Sequence, residues 1–348
     1  MSPEDGENPA GGALEQTSAP ARAGITNSDR RRALARRLAG EGGPLILDGA
    51  TGTELERAGL WTGLPLWSTH ALLEAPEAVF QIHAAYLAAG AEILTANTFR
   101  TQHRTLARAG LGESDARLTR LALELAAGAC LARRAAGAAP AWIAGSLPPL
   151  EDCYRPDLVP PQPALAREHG RQAELLGEAG ADLILVETMS SEREALAAAR
   201  AAAATGLPFV VSFVAWDGAT LLSGEPLRTA AARALEAGAS AVGVNCLPIA
   251  NLAACQRALA ELGAPLLFSP NLGQPEPRTG FARDASGDPR RFPEAFGASL
   301  HTATGILGGC CGTTPAEIAA LVERVRTSDR RSPAPNRPTA TDPDPRTA

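Results

Sequence analysis

Lysine is absent from this chain, and all 32 basic residues are arginine. That excludes Schiff-base aldol chemistry, a pyridoxal-phosphate lysine, a Walker-type nucleotide loop and a lysine general base. An excess of Ala, Gly, Arg and Pro accounts for the absence through GC-rich codon usage, and the exclusion holds whatever its origin. Aromatics are scarce, 14 among 348 residues, so few positions are available to build an aromatic binding face. The six cysteines are too few for a disulfide scaffold in a chain of this length, and in a reducing compartment they read as thiols or metal ligands. No apolar run approaches the roughly 20 residues of a membrane span. Residues 1–27 lack the apolar stretch of a signal peptide, so the expected location is the cytoplasm, away from membranes. A net charge of -6 argues against a general nucleic-acid binder. Nothing in the residues specifies an oligomeric state.

What is present is a repeating pattern. From Pro44 onward, short apolar runs bounded by Gly, Pro, Asn or Asp alternate with Ala/Leu/Arg/Glu segments of helical period. The runs are 45–47, 92–95, 141–144, 183–186, 209–213, 241–244, 266–268 and 305–307. Helical segments follow at 74–88, 115–134, 165–178, 192–203, 228–236, 249–262 and 315–325. Several of these end in Ala-Gly-Ala and run directly into the next strand, the signature of an αβ connection. Eight βα units over about 290 residues predict an α/β fold, a (β/α)8 TIM barrel, rather than a doubly wound sheet. The expected organisation is a disordered tail with a short helix over 1–35, a barrel over 36–326 and a disordered tail over 327–348. Ser28-Asp29 caps that short basic helix, which closes one end of the barrel. Between the seventh and eighth strands, Gln274 to Ser299 reads as a long irregular loop on the active-site side.

In a barrel the polar residues at the C-terminal strand ends converge. Here they are Asp48-Gly49, Asn97-Thr98, Ser146, Glu187-Thr188, Ser212, Asn245-Cys246, Asn271 and Cys310-Cys311. The last pair lies in Gly308-Gly309-Cys310-Cys311-Gly312-Thr313-Thr314-Pro315, a strand-to-helix loop with Thr314 as N-cap and Glu317 completing a capping box. Two small residues in a tight turn is the plain alternative for the pair. Strands six and eight bring Cys246, Cys310 and Cys311 to the same layer. Three thiolates fill three positions of a tetrahedral Zn2+ and leave the fourth open. Such a zinc is electron-rich, ill suited to hydrolysis, and apt for holding a fourth thiol as a nucleophilic thiolate. That chemistry is alkylation of a substrate thiol. Cys130 and Cys255 lie within Ala/Leu helices as small core residues, and Cys153 lies in the loop after strand three.

These residues resemble the homocysteine S-methyltransferase family, and the likeness runs from about residue 42 to 326. It is carried by 47–55 (Leu-Asp-Gly-Ala-Thr-Gly-Thr-Glu-Leu), 95–99 (Thr-Ala-Asn-Thr-Phe), Val186-Glu187-Thr188, 223–227 (Ser-Gly-Glu-Pro-Leu), Gly243-Val244-Asn245-Cys246 and the Gly308–Pro315 loop. The resemblance implies zinc on Cys246, Cys310 and Cys311, with the homocysteine sulfur as fourth ligand. It implies a substrate-binding set of Asp48, Gly49, Thr98, Glu187 and Asn245. In that set Asp48 and Glu187 hold the ammonium group, the backbone near Gly49 and the Thr98 hydroxyl fix the carboxylate, and Asn245 supports the neighbouring ligand. The implied reaction moves a methyl group from a sulfonium donor, S-methylmethionine or S-adenosylmethionine, to L-homocysteine, giving methionine. No separate catalytic base is expected beyond the zinc-activated thiol.

The chain departs from the family pattern in two loops on the donor side, 146–154 and 270–274. Trp61, Trp67, Phe99, Tyr154 and Trp216 are the aromatic candidates near strand ends. Arg100 stands where betaine-using relatives tend to have tyrosine and disfavours that donor. A folate donor with cobalamin calls for further domains, which are not expected here. Three alternatives stay open at this stage: a different donor or thiol acceptor on the same site, a barrel that binds zinc or a thiol without catalysis, and simple ion pairing of Asp48 and Glu187 with arginine. A zinc hydrolase would call for His and Asp ligands at the strand ends, and that set is missing.

Overall fold

Eight short parallel strands form a ring in the computed structural model, which describes residues 27–274, 282–283, 289–301 and 305–329. They are β1 (Leu45–Ile46), β2 (Ile93–Ala96), β3 (Trp142–Leu147), β4 (Leu183–Met189), β5 (Phe209–Phe213), β6 (Ala241–Pro248), β7 (Leu266–Asn271) and β8 (Gly305–Leu307). Sequential neighbours pair from β2 through β8, and β8 pairs β1. The ring is brought round by a parallel bridge between Leu47 and Ile93 and by Asp48 N–H donating to Ile93 C=O at 3.0 Å. The architecture is thus the nearly closed (β/α)8 barrel expected. The low-complexity ends, through residue 26 and from residue 330, lie outside the described residues.

Strand alternation divides the core in two. Leu183 and Leu185 point inward with Leu45, Leu47, Ile93, Trp142, Ala144, Val210, Ala241, Leu267 and Ile306. Ile184 and Val186 point outward, into the larger cluster shared with the surrounding helices. Those helices present mainly alanine, as in Ala195, Ala198, Ala199 and Ala202 of Glu192–Ala204, so they pack close to the sheet. At the N-terminal end the basic helix α1 (Asn27–Leu38) contributes Leu34 and Leu38 to the inner cluster. Its Arg30 forks onto Asp182 at 2.6 and 3.0 Å, and Trp142 Nε1 donates back to the Arg30 carbonyl. The plug seals the end away from the cysteines, as a packed barrel requires.

Three elements differ from the sequence expectation. The segment read as one helix over 74–88 is two, His70–Glu74 and Pro76–Ala89, because Pro76 cannot donate a backbone bond and forces Ala75 out of helical geometry. The segment 249–262 is an α-helix, Leu252–Leu259, flanked by 3-10 turns. The expected irregular loop contains 3-10 turns over Pro289–His301, kinked at Gly297. Phe292, Phe296 and Leu300, spaced four apart, are buried there, and Gln256 Nε2 donates to the Phe296 carbonyl at 2.8 Å. This segment occupies the outer layer between β7 and β8.

One backbone approach is especially close. Gly243 of β6 pairs with Leu267 of β7, and a Cβ at Gly243 would stand 1.8 Å from the Leu267 carbonyl oxygen. Backbone cannot yield as a side chain does, so Gly243→Ala is expected to cost about 3 kcal/mol or more. Urea unfolding of the variant beside the parent measures it. Equal midpoints would show that the β6–β7 spacing is looser than described.

Candidate metal and substrate site

The loop after β8 is held by its own backbone. Gly309 N–H donates to the Asp48 carbonyl and Cys310 N–H to the Pro270 carbonyl, both at 3.0 Å, while Leu272 N–H donates to the Cys311 carbonyl at 2.9 Å. Thr313 closes the turn, its Oγ1 donating to the Cys310 carbonyl at 2.7 Å. Gly308 lies against the Leu47 Cβ and the Asp48 carbonyl, where a side chain would clash, and Gly312 takes a positive φ of 82°. The glycines around the cysteines are therefore required by geometry. The helix Pro315–Asp329 starts as expected: Thr314 N–H donates to Glu317 Oε2 at 2.8 Å, and Thr314 Oγ1 accepts from Ala316 N–H.

Across the mouth, the register of β6 shifts between Asn245 and Pro248, and that of β4 between Val186 and Met189. Within these irregularities Cys246 and Thr188 hold φ of 56° and 60°, a region costly for side chains with a Cβ, especially a branched one. Such strain is of order 1–3 kcal/mol per residue and concentrates at functional sites. Here its effect is to aim Cys246 at the loop after β8. The Sγ atoms of Cys246, Cys310 and Cys311 all lie within 4.8 Å of one another, Cys246 and Cys311 at 3.9 Å. Tetrahedral Zn–S bonds of about 2.3 Å require S···S separations of about 3.8 Å, so the donor set fits such an ion. Without a cation three thiols this close cannot all ionise. Bonds from Cys310 and Cys311 hold Cys246 well below the ordinary thiol range, and those same contacts push the other two well above it. A divalent cation removes that conflict.

Around the thiols the polar side chains are interlocked. Asn245 Oδ1 accepts from Thr188 N–H at 2.8 Å and from Ser212 Oγ at 2.7 Å. Its Nδ2 faces Thr188 Oγ1 at 2.8 Å, Glu187 Oε2 at 3.3 Å and Cys310 Sγ at 4.0 Å. Ser146 Oγ donates to Glu187 Oε1 at 2.5 Å, and Thr98 Oγ1 donates to the Ser146 carbonyl at 2.9 Å. Asp48 accepts from Thr95 N–H and Thr95 Oγ1, both at 2.8 Å. Neither Asp48 nor Glu187 pairs with an arginine among the described residues, so the ion pairs of the plain alternative are not found there. Burial pushes the Glu187 carboxyl up to about 7, against the bond from Ser146, with the Cys246 charge adding to the rise. Burial pushes Asp48 up to about 8, against the Thr95 bonds, with Glu187 adding to it.

These groups open onto a cavity of about 1180 Å3. Of the residues singled out in the sequence, Gly49, Glu187, Asn245, Cys246, Cys310 and Cys311 line it. Asp48 and Thr98 do not: Asp48 is buried behind Thr95, and Thr98 is turned to Ser146. All five aromatic candidates, Trp61, Trp67, Phe99, Tyr154 and Trp216, are on the wall. Among the described side chains no histidine lines it; His83 is buried elsewhere, where burial alone lowers it to about 4 and keeps it neutral. Two contacts were not legible in the sequence. Tyr154 Oη is 2.9 Å from Cys246 Sγ, and Asn271 Nδ2 is 3.8 Å from the same sulfur. Cys255 is fully buried in its helix as expected, whereas Cys153 is buried on the cavity wall.

A parallel barrel whose strand ends carry three convergent thiols beside buried carboxyls defines a class, (β/α)8 barrels with a three-thiol donor set on the wall of a small-molecule-sized cavity. The profile of the homocysteine S-methyltransferase family matches residues 45–325. Homocysteine S-methyltransferase YbgG of Bacillus subtilis is 32% identical over 307 residues, covering 82% of this chain and 96% of that protein. Selenocysteine Se-methyltransferase of Brassica oleracea is 29% identical over 332 residues, covering 87% and 94%. The metallated form of the homocysteine methyltransferase MmuM from Escherichia coli superposes with a TM-score of 0.72 at 32% identity, covering 85% of this chain and 99% of that one. This chain belongs to the homocysteine S-methyltransferase family. Its three-cysteine cluster is a donor set of the number and spacing to hold a metal ion.

Proposed function

We propose that this protein is a zinc-dependent methyltransferase that moves a methyl group from a sulfonium donor to the thiol of homocysteine, giving methionine. The observation that carries the reading is the set of Sγ atoms of Cys246, Cys310 and Cys311 within 4.8 Å on the wall of a cavity that also exposes an unpaired carboxyl. When bound, zinc supplies an open fourth position that keeps a substrate thiol in its thiolate form near neutral pH. The protein's own residues do the rest. Glu187 receives the homocysteine ammonium directly, with its Oε1 fixed by Ser146 and Ser146 in turn fixed by Thr98. Asp48 backs the seat by accepting from Thr95, and the backbone at Gly49 lies on the wall to meet the carboxylate. Asn245 spans Glu187 and Cys310 and keeps ammonium seat and sulfur cluster in register. Tyr154 and Trp216, with ring centroids 5.2 Å apart, offer the sulfonium aromatic faces beside the cluster. The homocysteine sulfur then attacks the methyl carbon in line as the donor C–S bond breaks, and a neutral thioether leaves. Proximity and thiol activation are the sources of rate.

The thiols must stay reduced to hold a metal, which suits the cytoplasm; among the described residues no helix is long and apolar enough to cross a membrane. A donor panel tests the function. Zinc-loaded, reduced protein with homocysteine is expected to yield methionine from S-methylmethionine or S-adenosylmethionine. A protein that retains its metal yet makes no methionine from any donor would overturn the reading.

A further inference from the structure

Arg100 is a cation on the cavity wall that the scheme above leaves unused. It follows β2, half-buried, with its guanidinium carbon 5.2 Å from the Phe99 ring centroid and Nη1 donating to the Glu151 carbonyl at 3.1 Å. Its Nε is buried without a partner. The Glu151 carboxylate is turned away, bonded to Arg104 and Arg108. Among the described residues no carboxylate pairs with Arg100, whereas the other wall arginines, Arg108 and Arg155, have Glu151 and Asp157. A second buried atom on this wall is also without a partner, Trp216 Nε1. Both are N–H donors. A half-buried guanidinium on the wall, with no carboxylate partner among the described residues, is complementary to an anionic acceptor.

We infer that Arg100 holds the carboxylate of the methyl donor and sets a preference for a donor whose carboxyl is free. The inference rests on the methyl-transfer reading above and deepens it. The position favours donor over acceptor. Arg100 is tied to Glu151, only three residues before Tyr154, whose hydroxyl reaches Cys246 Sγ. Arg100 is thereby bonded to the loop that carries Tyr154, one of the two rings offered to the sulfonium. The homocysteine seat at Glu187 is built instead from the ends of β3, β4 and β6. A carboxylate on a guanidinium gains charge-assisted, directional bonds that an ester cannot make.

The test is calorimetric binding of S-methylmethionine, its methyl ester and homocysteine to the metal-loaded full chain and to Arg100→Gln and Arg100→Lys. The parent is expected to bind S-methylmethionine at least about 30-fold more tightly than the ester. Arg100→Gln removes that preference, Arg100→Lys restores part of it, and homocysteine binding stays within twofold. Three results would overturn the inference: a parent indifferent to esterification, a variant that weakens both sulfonium ligands equally, or a loss confined to homocysteine. The methyl-transfer reading fails separately: a parent that discriminates against the ester yet forms no methionine would sink it while leaving the Arg100 contact in place.

Discussion

Cys310→Ala is expected to release the metal and lower methyl transfer at least about 10³-fold, with the fold retained. The size follows from two losses. A free thiol is only a few per cent ionised at neutral pH, so losing the device that ionises it costs about 30-fold. Losing the anchor that sets the sulfur in line adds a similar or larger factor. The fold survives because Cys310 is tied through its backbone: its N–H to Pro270 and its carbonyl to Thr313. Metal content by mass spectrometry, methionine formation and near-ultraviolet dichroism are read together. Cys255→Ala and Cys153→Ala are the controls, since Cys255 lies buried in its helix against the Ala215 carbonyl and neither joins the three-thiol cluster. If Cys310→Ala kept stoichiometric metal and activity, the three-thiol assignment would be wrong.

Most of the barrel was legible because its strands are buried on both faces and announce themselves as short apolar runs, and because the helices between them end in Gly-Ala. What escaped was where local chemistry overrides period. Pro76 breaks a helix that its apolar spacing alone would continue. The segment before β8 was hidden by its proline and arginine content, although Phe292, Phe296 and Leu300 carry a helical spacing.

At the site, residue types and strand ends sufficed to bring Cys246, Cys310, Cys311, Glu187 and Asn245 to one cavity wall. Orientation was not legible. Strand position alone does not reveal that Thr98 turns away to support Ser146, or that Asp48 stands behind Thr95. Nor does it foretell the positive φ at Cys246 that swings its sulfur toward the loop after β8. Those details depend on register shifts in β4 and β6, long-range properties of the sheet with no local sequence signature.

Glu187→Gln is expected to move binding and stability in opposite directions. For binding, the amide cannot neutralise an ammonium, and loss of a buried charge-assisted bond is expected to raise the KM for homocysteine about 100-fold. For stability the sign reverses. A glutamate that ordinarily titrates at 4.5 and here at about 7 disfavours its ionised form in the folded metal-free protein. At about 1.4 kcal/mol per pH unit, that penalty is roughly 3 kcal/mol once the carboxyl is fully ionised. Unfolded protein releases this proton first, so the parent loses stability as pH rises from about 4.5 through 7 and stays low above it. Glutamine removes the charge while keeping an acceptor for Ser146; the long bond from Asn245 is lost, which offsets part of the gain. A net stabilisation of about 1–2 kcal/mol at pH 8, and little or none at pH 4.5, is therefore expected from urea unfolding of the metal-free proteins. Asp48, raised from 3.8 to about 8 by its own burial, leaves the variant a residual decline as pH rises from about 4 through 8, which Asp48→Asn in the same background would flatten. A Glu187→Gln protein less stable than its parent at pH 8 would mean that the carboxylate is held in place by compensating donors rather than kept in wait for a cation.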